Sequence, residues 1–89
     1  MDITLSKDIR LSDDGKLIHF VALWHDQSVL CAISREALEQ HFWAPDCATR
    51  ERLSRAYWDG RMRISAAVER QLLRSHPRPI VLVAKHFSH

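Results

Sequence analysis

Apolar and polar residues alternate along 17–25 of this chain. Ile18, Phe20, Ala22 and Trp24 point one way, and His19, Val21, Leu23 and His25 the other. A period of two is the signature of a strand, here with one strongly apolar face and one mixed face. Asp26-Gln27-Ser28 supplies turn residues and leads into the apolar run Val29–Ile33, so the pattern predicts a β-hairpin. Upstream, residues 2–6 read as a short edge strand, residues 7–12 are ambiguous, and Asp13-Asp14-Gly15 is a turn.

The period then changes. Ser34 is placed to cap a helix whose first turn holds Glu36, with Ile33 and Leu38 spaced as a hydrophobic staple. This helix is predicted to run to Phe42 or Trp43, where Ala44-Pro45-Asp46 ends it. Beyond it, Leu53, Tyr57, Gly60, Ile64, Ala67/Val68 and Gln71 recur every three to four residues and lay one apolar stripe on a helix. The stripe keeps phase through Gly60. The reading is therefore one long helix over residues 48–75, with a kink at Gly60 allowed, although an internal glycine costs roughly 1 kcal/mol. Pro77 stops it, residues 76–79 form a loop, and the β-branched run Ile80–Lys85 returns to the sheet. The expected architecture is α+β: an antiparallel or mixed sheet of about four strands, packed on one face by a short helix and a long one, in the order β-β-β-α-α-β, as a single domain over residues 1–89.

Composition narrows the class. Apolar residues make up 46% of 89 residues, with only two Gly and three Pro, which fits a globular chain and excludes a disordered one. Two cysteines are too few for a disulfide scaffold at this length. Apolar runs such as Phe20–Trp24 fall far short of the about 20 residues of a membrane helix. The N-terminus has no basic n-region followed by an apolar stretch, so no secretion signal is expected. The cytoplasm is the expected compartment.

Charge changes the picture more. A formal net charge of +2 hides an acidic first half and a basic second half. Ten of the thirteen basic residues are arginine, and eight of those lie between Arg50 and Arg78. At about 100° per residue, Arg52, Arg63, Arg70 and Arg74 fall within roughly 40° of arc on the long helix, with Arg55 nearby. Like charges at these spacings offer little internal i,i+4 neutralisation. Three readings follow. The row is a solvated face or pairs with the acidic half of the chain, it meets an acidic protein partner, or it meets nucleic-acid phosphates. Trp58, away from the stripe, either marks a partner surface or shields a sheet edge or Leu72.

Other chemistries find little support. Two helices around residues 44–46 suggest helix-turn-helix recognition, yet the second is long and built for packing rather than base contact. Cys31 could be paired with His19 or His25 as nucleophile and base, but the alternation places it on an apolar face with Val29 and Ile33. Cys47 at a helix start has no partner. His76, His86 and His89 lack metal-ligand spacing. No catalytic residue, cofactor or metal ligand is expected.

The run from Val29 to Phe42, Val-Leu-Cys-Ala-Ile-Ser-Arg-Glu-Ala-Leu-Glu-Gln-His-Phe, resembles a family of small bacterial proteins known only as the domain of unknown function number 1488. Tyr57, Arg61, Ile64 and Ala67 resemble its aromatic-x3-Arg-x2-Ile-x2-Ala helix, and Ile80-Val81-Leu82-Val83 its final strand. Two features depart from that pattern: Trp58 beside Tyr57, and the ending Ala84-Lys85-His86-Phe87. The resemblance implies a compact α+β fold in a bacterial cytoplasm and brings no activity. The function expected is that of a small non-enzymatic binding or regulatory accessory protein. Its partner would be another protein or a second copy, with nucleic acid on the arginine row as the alternative.

Overall fold

The structure is a computed structural model, and it describes residues 3–44, 49–74 and 80–87. Expectations for Asp2, for Pro45, Asp46, Cys47 and Ala48, for residues 75–79 (with His76 and Pro77), and for His89 lie outside the described residues. The elements are strands β1 (Thr4–Leu5), β2 (Arg10–Leu11), β3 (Leu17–Trp24) and β4 (Gln27–Ser34), helices α1 (Arg35–His41), α2 (Arg50–Asp59) and α3 (Arg61–Leu73), strand β5 (Ile80–Leu82), and a 3-10 turn at Ala84–His86.

The fold is α+β with a mixed five-stranded sheet. Strands β3 and β4 pair antiparallel along all eight residues of each, with Val21 opposite Leu30 and Phe20 opposite Cys31. Both short strands, β1 and β2, pair antiparallel with the other edge of β3. Strand β5 lies parallel to β4, with Ile33 opposite Leu82. A parallel neighbour requires a crossover, and the three helices supply it.

The predicted hairpin forms with its turn moved. His25 and Asp26 carry φ of 51° and 63°, and Gln27 already pairs with Trp24. A two-residue turn with both residues left-handed matches the twist of the flanking strands, and His and Asp accept that conformation better than most side chains. Gln27 and Ser28 are therefore strand rather than turn. Asp13-Asp14-Gly15 turns as expected: Gly15 has φ 71°, and its N–H donates to the Ser12 carbonyl at 2.9 Å. The Ser12 hydroxyl donates to Asp14 at 2.6 Å, and this bond leads the causes that hold the Asp14 carboxyl below the usual range.

Alternation places Ile18, Phe20, Ala22, Val29, Cys31 and Ile33 in the core, where they meet Leu38, Leu53, Tyr57, Ile64, Val68 and Leu72 from the helices. Ser34 caps α1 by accepting from the Ala37 N–H at 3.0 Å. The last strand is shorter than predicted, because Ala84 and Lys85 belong to the 3-10 turn. That turn is closed by the Val83 N–H donating to His86 Nδ1 at 2.9 Å.

The one long helix is two. Gly60 has ψ 12° in place of a helical value near −42° and separates α2 from α3. The cause lies in α1. Phe42, its C-terminal cap, lays its ring where a Cβ on residue 60 would sit. Helical bonding still bridges the junction, with the Gly60 N–H donating to Ala56 and the Ile64 N–H to Gly60 at 3.0 and 3.1 Å. The stripe therefore stays in phase, and Leu53, Tyr57, Ile64, Ala67 and Val68 are all buried.

Candidate functional site: the basic face of the second and third helices

Six arginines stand on α2 and α3, with Arg74 as the C-cap of α3, and the fold gives them different work. Arg50 reaches from the start of α2 to the Ile9 carbonyl, donating from Nη2 at 2.9 Å. Arg61 Nη1 donates to the Trp58 carbonyl at 2.8 Å while its guanidinium lies 4.6 Å from the Trp58 ring. Arg63 Nη1 donates to the His41 carbonyl at 2.9 Å and stacks 4.6 Å from the Phe42 ring. The last carbonyls of a helix lack intrahelical partners. Arg61 satisfies one at the end of α2, and Arg63 one at the end of α1. These cations bind the fold together.

The row predicted as one strip is divided. Arg52 and Arg55 share a hollow with Phe42, Trp43 and two acids, Glu51 and Asp59. Arg63, Arg70 and Arg74 line a second groove, of about 460 Å³, together with Ala66, Ala67, Gln71, Lys85, His86 and Phe87. Phe42 is the divider. Its ring seats on Gly60, lines the first hollow, and packs edge-on against Phe87 of the second groove at 5.0 Å.

The second groove is the stronger candidate site. Arg63, Arg70, Arg74 and Lys85 line it, and among the described residues no carboxylate does. Arg70 and Arg74 are exposed, and neither has a carboxylate partner among the described residues. Both stand near the C-terminal end of α3, where a positive charge also complements the helix dipole. Nδ1 of His86 accepts from the Val83 N–H.

Trp58 does not offer a free ring. It is half-buried against the core and covered by Arg61. The exposed tryptophan is Trp43, at 88%. Its backbone is left-handed, with φ 60°, and this turns the chain so that the Ala44 N–H returns to the Leu38 carbonyl at 3.1 Å. A glycine is usual at such a helix end, so the sequence carries no local sign that Trp43 would be thrust outward.

The pairing of Cys31 with His19 or His25 has no geometry. The Cys31 thiol is buried and donates to the Val29 carbonyl at 3.5 Å, and His19 lies on the other face of the sheet. Tyr57 is the group the sequence did not single out for chemistry. Its hydroxyl donates to the Ser6 carbonyl at 2.6 Å, and burial pushes the phenol up to about 12, against the opposing pull of the Ser6 side chain. Among the described residues no cluster of His, Cys, Asp and Glu is arranged to hold a metal ion, and no helix is long and apolar enough to cross a membrane.

Nearly the whole chain, residues 3–82, matches the family model described as "Protein of unknown function (DUF1488)". The chain belongs to this family. The match agrees with the resemblance carried by Val29–Phe42, Tyr57, Arg61, Ile64, Ala67 and the final strand. Within the DUF1488 pattern, Arg61 and Tyr57 now have physical roles, one closing the end of α2 and the other tying α2 to the first strand. No curated protein and no solved structure matches the chain.

Proposed function

We propose that this DUF1488 protein is a small cytoplasmic binding or regulatory accessory protein, without chemistry of its own, that takes an acidic protein partner in the groove between α3 and the 3-10 turn. The observation that carries this reading is the lining of that groove: Arg70 and Arg74 hold no carboxylate partner among the described residues, and no acid among those residues lines it. Arginine's planar fork favours carboxylates and phosphates over other ligands. Nucleic acid is the second reading of the same groove, since phosphates satisfy the same cations.

The test is fluorescence anisotropy of labelled polyglutamate, duplex DNA, single-stranded DNA and RNA against the purified protein at low and physiological salt. Binding of polyglutamate that weakens with salt and disappears in the Arg70→Glu/Arg74→Glu double variant is the expected result. Tighter binding of any nucleic acid, with a steep salt dependence, would replace the acidic partner by the second reading.

A further inference from the structure

Helix α3 carries a second unusual feature beside its arginines. Met62 and Leu73 are 78% and 60% exposed, and Ala66 is exposed between them. These residues stand at i, i+4 and i+11, within about 40° of arc at roughly 100° per residue. They form an apolar seam on the outer side of a helix whose inner side, Ile64, Ala67, Val68 and Leu72, is already buried. Arg63, Arg70 and Arg74 run parallel to this seam, about 80° around the helix. Glu69 stands at the opposite margin. An exposed apolar seam with charge along one flank is the arrangement by which one helix selects another.

Resting on the acidic-partner reading above, we propose that the partner presents an amphipathic helix. Its apolar side covers Met62, Ala66 and Leu73, and its acidic flank enters the groove against Arg70 and Arg74. Charge decides the occupant. In an antiparallel pairing of two copies of α3, twofold symmetry sets each arginine row against its counterpart. In a parallel pairing, each row of three arginines meets the single acid Glu69. A second copy of this chain is therefore a poor occupant, and a helix with acids on one flank and a base opposite Glu69 is a good one.

The experiment uses a synthetic helical peptide of about three heptads, with a leucine seam, glutamates on the flank facing the arginines and lysine opposite Glu69. Polyglutamate of equal net charge and duplex DNA serve as comparison ligands, all read by anisotropy. Met62→Ser/Leu73→Ser and Arg70→Glu/Arg74→Glu are tested alongside the wild type. All four positions are exposed, and a thermal melt confirms that each variant folds. The peptide is expected to bind more tightly than polyglutamate, with each double variant weakening it about tenfold or more. If Met62→Ser/Leu73→Ser changes nothing, or polyglutamate binds as well as the peptide, the seam is not read; the helix proposal falls and the acidic-partner reading stands. If neither peptide binds, or DNA binds more tightly than both, the two readings fall together.

Discussion

The two ends of the basic row contain the same residue type and serve opposite ends. Around Gly60, arginine is structural cement: Arg61 and Arg63 each close a helix terminus and each lie over an aromatic ring. About two and three turns beyond Arg63, Arg70 and Arg74 face an open groove and hold no carboxylate among the described residues. A guanidinium becomes structural where orphan carbonyls and ring faces lie within its reach, and those occur where elements meet. Among the described residues Arg70 and Arg74 make neither contact, which leaves the same side chain open to a ligand. Counting arginines therefore overstates a binding surface. What matters is which of them the fold has already occupied.

The comparison breaks most severely at its hinge. Phe42→Ala removes the ring that seats on Gly60, backs Phe87 and carries Arg63, and it is expected to cost about 3–5 kcal/mol, the range for deleting a buried phenylalanine. The measurement is a urea midpoint at unchanged m-value. Gly60→Ala comes next. Its new methyl collides with the Phe42 ring, and a loss of about 1–3 kcal/mol is expected from overpacking. In the double variant Gly60→Ala/Phe42→Ala the clash is gone, so the two costs should fall short of adding. Simple additivity would show that Phe42 is not the reason for glycine at this position.

Tyr57→Phe tests the other side of α2, away from the arginines. Losing the bond to the Ser6 carbonyl is expected to cost about 1 kcal/mol, since that acceptor is left partly buried. The pH dependence sharpens it. The folded phenol is raised from 10.0 to about 12, so its contribution is complete below pH 10 and is lost as pH rises through 12, because the unfolded chain gives up the proton first. Wild type should lose stability over that window, and Tyr57→Phe should lack this component in denaturant melts at stepped pH. The smallest effect belongs to the open end of the row. Arg70→Glu/Arg74→Glu is expected to change stability by no more than about 0.5 kcal/mol per site, the range for exposed positions away from special features. Arg63→Ala, which removes a cap and a stacked cation, should cost more than either. Equal costs at Arg63 and Arg70 would erase the distinction between the two ends.

Local chemistry made much of the architecture legible. The alternation over 17–24 settled which face of β3 is buried, Ser34 announced the start of α1, and the three-to-four spacing from Leu53 to Val68 found the inner stripe of both later helices. Each of these signals is carried by residues a few positions apart, within reach of one turn or one pleat. The binding surface was less legible. The sequence shows Arg63, Arg70 and Arg74 as part of a row, but no local pattern in it marks Trp43 rather than Trp58 as the exposed ring.

Those decisions belonged to residues distant in the chain. The helix breaks at Gly60 because a ring eighteen positions earlier fills the space above it. The arginine row divides because the same ring stands between two hollows. Strand β5 pairs parallel to β4 because three helices carry the chain across the face of the sheet before it returns. Periodicity states which side of an element is apolar. It is silent on which neighbour covers that side and on which polar groups that neighbour has already engaged, because both depend on contacts that exist only once the chain has closed on itself.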